Sequence, residues 1–324
     1  MVRAESPKWP EKVLLASPRG FCAGVVRAVD IVNIALERSQ GEPVYVYHEI
    51  IHNTHVVRDF KERNAKFVNS IDEVPEGAIF VPSAHGVEPA IIDLAEQRRM
   101  RVIDATCPLV AKTHMEAKKF LAEGRTVLYI GHANHDETVG TLGHAPQIRL
   151  IEKAEDVDNV EVEDPEKVAL ITQTTLSMDD TAKIREAILK RFPNIAQPRT
   201  SDICFATQNR QSGVKEMIDR GAERIVVLGS PTSSNSIRMR EVAETAGASA
   251  FFVDEAKLLV PDLFRQFKCV GLTSGASAPD DKFQEIVEFF RVRGSKTFEN
   301  VVVAEEKYEF GLPKGLDKLQ EAPI

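Results

Sequence analysis

"KVLLASPRGFCAGVVRAVDIVNIALERSQG", residues 12–41, reads as a strand, a tight turn and a helix. KVLLAS is short and apolar, and Arg19-Gly20 turns the chain. From Val25, apolar residues then fall at Val25, Ala28, Val29, Val32, Ala35 and Leu36, a helical stripe that Gly41 closes. Cys22 therefore sits between a strand end and a helix N-terminus. A single thiol there serves equally as a nucleophile, a metal ligand or a small buried residue.

The same unit returns twice. "RVIDATCPLVAKTHMEAKKFLAEG" puts Cys107 after a strand, with Pro108 at a position suited to the first helical turn and a stripe of Val110, Thr113, Ala117, Phe120 and Leu121 behind it. "TSDICFATQNRQSGVKEMIDRG" puts Cys204 before a helix whose inner face includes Val214, Met217 and Ile218. The spacings between the cysteines, 85 and 97 residues, are each close to a third of the 324-residue chain. After each cysteine come two more apolar strands that end in polar clusters. These clusters carry His52 and His85, then His135 and Thr174, then Ser234 and Ser277.

Strands alternating with helices imply mostly parallel sheets, with ligands bound beyond the carboxyl ends of the strands. The expected fold is α/β, three similar lobes whose strand tips face one cavity. The boundaries are 13–105, 106–203 and 204–293, followed by a tail, 294–324. Length and composition agree, with 43% hydrophobic and 28% charged residues. A net charge of −8 argues against nucleic acid. No apolar run is long enough for a membrane helix. Four scattered cysteines without a CxxC pair suit a reducing, cytoplasmic compartment better than a disulfide framework.

Three thiolates in matched positions suit an iron–sulfur cluster, and three ligands for four irons leave one iron open as a Lewis acid. Cys269, inside the apolar run FKCVGLTSG, reads as a buried structural residue. "LGSPTSSNS" before a helix offers backbone N–H groups and the side chains of Ser233, Ser234 and Asn235 to a phosphate, and Ser277 repeats the scheme. Taken singly, each of these residues also reads as a helix cap, as Ser177 does. His52, His85 and His135 supply imidazole donors that suit a diphosphate. In "NHDET", Glu137 is the carboxylate singled out as the cavity acid, with Asp136 its competitor and Thr174 or Thr175 able to relay a proton.

Taken together and in order, "RGFCAGVVRAV", "HEIIHN", "SAHGV", "DATCPLV", "GHANHDETVGT", "TQTTLS", "GSPTSSNS" and "GASAP" resemble the 4-hydroxy-3-methylbut-2-enyl diphosphate reductase family over about residues 13–290. The resemblance implies three lobes with pseudo-threefold symmetry around one [4Fe-4S] cluster per chain, held by Cys22, Cys107 and Cys204 and prone to lose an iron to give [3Fe-4S]. It implies that His52, His85, His135, Ser233, Ser234, Asn235 and Ser277 hold the substrate diphosphate, and that Glu137 and Thr174 handle the proton. It implies an iron–sulfur oxidoreductase that binds the substrate hydroxyl at the open iron. The implied products are isopentenyl and dimethylallyl diphosphate, in the last step of the methylerythritol phosphate route to isoprenoids. Ferredoxin or flavodoxin is the implied electron donor, and the tail is expected to pack back on the first lobe. The family motif often reads "GHPEVEG", so Asp136 departs from it. A hydro-lyase using open-iron chemistry, an iron–sulfur sensor and a zinc-binding structural protein are the rival readings.

Overall fold

The computed structural model describes residues 9–320. Strands and helices alternate along the chain: β1 (Lys12–Ser17), α1 (Ala23–Arg38), β2 (Val44–Tyr47), α2 (Thr54–Glu62), β3 (Ala65–Val68), β4 (Ile79–Pro82), α3 (Pro89–Gln97), β5 (Arg101–Val102) and α4 (Pro108–Ala122). The middle of the chain holds β6 (Thr126–Ile130), α5 (Asp136–Leu142), β7 (Ile148–Ile151), α6 (Asp156–Asn159), β8 (Val168–Thr172) and α7 (Met178–Arg191). The remainder runs α8 (Phe205–Asp219), β9 (Arg224–Leu228), α9 (Ser234–Thr245), β10 (Ser249–Val253), β11 (Cys269–Ser274), α10 (Asp280–Arg291) and β12 (Thr297–Val302).

All strand pairings within the three sheets are parallel, as the alternation requires. The orders are β10-β9-β11-β1-β12, β3-β2-β4-β5 and β7-β6-β8. Strands that read as unbroken apolar runs become buried ones. Every residue of β4 (IFVP), β6 (TVLYI) and β8 (VALIT) is buried, which is the condition of a strand covered by helices on both faces.

The chain divides into two compact units. One comprises the segment ending at Cys22 together with Phe205–Tyr308, and the other comprises Ala23–Cys204 with the tail from Glu309. The first unit holds the five-stranded sheet, and the second holds the four- and three-stranded sheets. This differs from the three-way division at residues 105 and 203. β1, grouped by spacing with residues 13–105, is hydrogen-bonded between β11 and β12, with Val13 opposite Val270 and Phe298. The physical reason lies in its composition: Val13, Leu14, Leu15 and Ala16 are all buried, so β1 requires a neighbour on each side and a helix on each face.

In the tail, β12 completes the five-stranded sheet beside β1. Farther on, the 3₁₀ segment Lys314–Gln320 meets α1, where an Arg38 guanidinium nitrogen donates to the Leu316 carbonyl at 3.0 Å. Residues 321–324 of the expected tail lie outside the described residues. Cys269 opens β11 and is buried in the core of the first unit, its thiol pKa pushed up by burial. Ser177 is the N-cap of α7, its hydroxyl accepting from the Asp180 N–H at 3.2 Å.

Candidate active site

All four cysteines are thiols, and the three singled out by spacing are partly exposed while Cys269 is buried. Each of the three stands at a strand-to-helix joint. Cys22 immediately precedes α1, Cys107 is the N-cap of α4 and Cys204 immediately precedes α8. In the first unit, the Cys22 N–H donates to Ala276 O at 3.1 Å and the Gly20 N–H to Ser274 Oγ at 2.7 Å. In the second, the Cys107 N–H donates to Ala84 O at 2.9 Å and the Cys204 N–H to Thr174 O at 3.0 Å.

A buried charged side chain braces each of these joints, and none of the three had been singled out from sequence. Arg210, fully buried on α8, donates to Gly20 O at 2.7 Å and is paired with Glu306 at 3.1 Å. Arg27 on α1 donates to Thr106 O at 2.9 Å, Asp104 O at 3.3 Å and Gly311 O at 2.8 Å, fixing the backbone before Cys107. Asp202 accepts from Thr172 N at 3.0 Å and pairs with Lys112 at 2.8 Å, two residues before Cys204. The signal for the two arginines was present. Arg210 lies on the stripe of Val214 and Met217, and Arg27 on that of Ile31 and Ala35, where a charge is out of place unless it is bonded.

The histidines of the second unit come together. The His52 and His85 rings stack with centroids 4.3 Å apart, and His135 stands nearly perpendicular to both, 5.7 and 5.6 Å away. Burial and the neighbouring imidazoles drive the His85 pKa well down, and burial followed by His52 takes His135 to about 4. At neutral pH both rings are uncharged and offer one N–H each. His55 lies apart from them on α2, whose N-cap is Asn53.

Asp136 and Glu137, adjacent in sequence, have opposite surroundings. Burial pushes Glu137 up to about 7 against the opposing hydrogen bonds from Thr174, whose N–H and hydroxyl each donate to a carboxyl oxygen at 2.8 Å. Burial alone would raise Asp136 too, but the His48 hydrogen bond at 2.9 Å and the nearby imidazoles hold it at about 2. His48 closes β2 with φ +57°, a left-handed conformation that ends the strand, and its own pKa is raised chiefly by the Asp136 bond. Glu137 is thus the carboxyl group that holds a proton near neutrality, and Asp136 is an anion. Thr174 is the threonine bonded to Glu137, whereas Thr175 Oγ1 accepts from Gln173 at 3.0 Å.

Gly86, next to His85, shows why the SAHGV turn needs glycine. Its φ is +76°, and a Cβ there would lie 2.8 Å from His114 Cε1 and 3.2 Å from Thr106 Cγ2. Gly86→Ala is expected to cost about 1–3 kcal/mol of stability. A urea unfolding midpoint equal to that of the unsubstituted protein would remove this account of the turn.

In the first unit, Ser233 is the N-cap of α9 and accepts from the Ser236 N–H. Asn235, in the first turn of α9, is 4% exposed, yet neither its amide nitrogen nor its amide oxygen meets a hydrogen-bonding partner among the described residues. A buried amide in that condition costs stability unless a ligand satisfies it. Ser234 and Ser277 are likewise buried, Ser234 beside Asn235 on α9 and Ser277 three residues before α10.

Parallel α/β sheets with thiols at helix N-termini and a proton-holding carboxyl beside neutral imidazoles are the features of an α/β enzyme equipped for acid–base chemistry and thiolate ligation. The comparisons narrow it. The LytB protein family matches residues 13–291. A 4-hydroxy-3-methylbut-2-enyl diphosphate reductase of Bordetella parapertussis is 47% identical over 319 residues, covering 98% of this chain and 97% of the relative. The enzyme of the same name from Rhodopirellula baltica is 47% identical over 308 residues, covering 95% and 96%. The solved structure of the E-1-hydroxy-2-methyl-but-2-enyl-4-diphosphate reductase from Plasmodium falciparum superimposes with a TM-score of 0.92 at 32% identity, covering 96% of this chain and 98% of that one. The chain belongs to the LytB family of 4-hydroxy-3-methylbut-2-enyl diphosphate reductases. Among the described residues, no helix is long and apolar enough to cross a membrane.

Proposed function

We propose that the protein reduces (E)-4-hydroxy-3-methylbut-2-enyl diphosphate to isopentenyl and dimethylallyl diphosphate, the last step of the methylerythritol phosphate route. The substrate alcohol takes up two electrons and two protons, its C–O bond breaks, and water leaves. The observation that carries this reading is Glu137, a buried carboxyl poised at about 7 and held through both oxygens by Thr174. A general acid for a poor hydroxide leaving group needs that protonation state at neutral pH.

Cys22, Cys107 and Cys204 are the residues that would hold a [4Fe-4S] cluster. Their fit rests on the donor chemistry: three partly exposed thiols, each at the N-terminal end of a helix of 15 or 16 residues, where negative charge is favoured. When bound, the cluster supplies the electrons one at a time and an iron without a protein ligand, of Lewis-acid character. Ferredoxin or flavodoxin fits as donor, because each delivers single electrons.

The chain's own residues bind and protonate. His52, His85 and His135 offer imidazole N–H groups to diphosphate oxygens, and His85 and His135 do so uncharged. The Asn235 amide and the Ser233, Ser234 and Ser277 hydroxyls add donors, together with the backbone N–H groups that open α9. Glu137 delivers its proton to the departing oxygen, and the Thr174 hydroxyl orients the carboxyl.

Asn235→Ala is expected to weaken inorganic diphosphate binding by about 10–100-fold, the worth of a hydrogen bond to a charged group. It should leave the unfolding midpoint of the ligand-free protein unchanged or raised, because the buried amide meets no hydrogen-bonding partner among the described residues. Calorimetric titration with inorganic diphosphate reads the first effect; unaltered affinity would take Asn235 out of the binding set. The whole reading is tested by incubating anaerobic, four-iron protein with reduced viologen and the substrate. Both five-carbon diphosphates should form, with two electrons consumed per substrate. Their absence would reject the reaction, and a dehydrated or hydrated diphosphate formed without reductant, in place of the two reduced products, would identify a hydro-lyase.

A further inference from the structure

We propose that His52, His85 and Asp136 form a binding site for one divalent transition cation of the zinc type. One ligand atom from each of the three lies within 4.8 Å of the others. The elements of the second unit deliver them ready oriented. Asp136 Oδ1 is held by His48 Nδ1 at 2.9 Å, while Oδ2 faces His85 Nδ1 at 3.8 Å. Glu49 Oε2 stands 3.2 Å from His52 Nδ1, the carboxylate–imidazole pairing that fixes the tautomer and ring orientation of a metal-ligating histidine.

The donor chemistry selects the ion. Two imidazole nitrogens and one carboxylate oxygen suit zinc and its first-row neighbours; magnesium and calcium prefer all-oxygen shells, and copper(I) prefers sulfur. Tetrahedral zinc with bonds of about 2.0–2.1 Å sets its ligand atoms roughly 3.4 Å apart. Side-chain rotations of about 1 Å close the present spacing to that value. Three protein ligands leave a fourth position for water or an anionic oxygen. Asp136 is the deciding residue, because without its carboxylate only a histidine pair remains. The cation and the diphosphate would share His52 and His85, so the inference concerns the protein without substrate and does not depend on the proposed reaction.

The test uses the cluster-loaded protein without oxygen, dialysed against buffered free Zn²⁺ and examined at the zinc absorption edge, which is blind to iron. One zinc per chain is expected, with a nitrogen/oxygen shell at about 2.0–2.1 Å. In Asp136→Asn and in Asp136→Pro, the latter suited to the first position of α5, the affinity should fall at least about tenfold. A shell dominated by sulfur at about 2.3 Å would mean that the thiolates took the metal and would overturn the proposal. So would equal affinity in the variants, or no saturable zinc in the unsubstituted protein. Should either variant fail to fold, the absorption edge of the unsubstituted protein decides alone.

Discussion

Glu137→Gln is expected to lower kcat by about 10²–10⁴-fold, the usual contribution of a positioned general acid, while leaving iron and sulfide content and diphosphate affinity intact. The amide fits the site. Its oxygen accepts from the Thr174 N–H, and its NH₂ donates to a Thr174 hydroxyl that has turned to accept, so both present contacts persist. What is lost is the transferable proton. The pH profile carries the same signature. With the carboxyl held up at about 7 by burial, turnover should fall as pH rises through that value, and the glutamine variant should lack this limb.

Stability follows pH in the same direction. The folded pKa lies above the ordinary 4.5, so the folded protein holds a proton that the unfolded chain has released. That stabilisation is fully present below about 4.5 and is lost as pH rises through about 7, a difference of order 3 kcal/mol. The variant should therefore gain on the unsubstituted protein in thermal midpoint between pH 5 and pH 8 while remaining slow. Wild-type turnover, or a midpoint difference independent of pH, would remove Glu137 from its role.

Sequence alone could not choose between Asp136 and Glu137, and the reason is physical. Both are carboxylates at the mouth of a short helix, and what separates them is contact with residues distant in sequence. His48, 88 residues away, holds one as an anion, and Thr174, 37 residues away, receives the other in a buried pocket. Periodicity reports which face of an element is apolar, and no more. That was enough for the strand–cysteine–helix repeat, because each joint is local. It was not enough for β1, whose partners β11 and β12 lie more than 250 residues on and whose apolar run fits the middle of any parallel sheet. The histidine cluster stands between these cases. His52, His85 and His135 each follow a strand, so their common level was readable, whereas the stacking of His52 on His85 depends on how β2 and β4 lie side by side. Arg27 and Arg210 were the least visible. A long side chain on an apolar stripe usually reaches solvent, and here both turn inward to backbone carbonyls.

Cys107→Ser should abolish cluster retention, with iron and acid-labile sulfide falling to background and turnover falling at least about 100-fold, since the serine hydroxyl is a poor, hard ligand for iron in a sulfide cluster. The argument for choosing Cys107 is mechanical. It is the N-cap of α4, and its backbone N–H is already satisfied by Ala84 O, so serine, a preferred N-cap residue, should keep the helix and the fold. Arg27 would still hold Thr106 O and Asp104 O, leaving the joint braced as before. A loss of iron with an unchanged unfolding midpoint of the metal-free protein then reports ligation and not collapse. Cys269→Ser, in the core of the first unit, supplies the opposite result. Iron content should be retained while the midpoint drops, because a hydroxyl replaces a buried thiol without a programmed partner. Full iron and sulfide in Cys107→Ser would overturn the ligand assignment, and loss of iron in both variants would reduce it to an effect of folding.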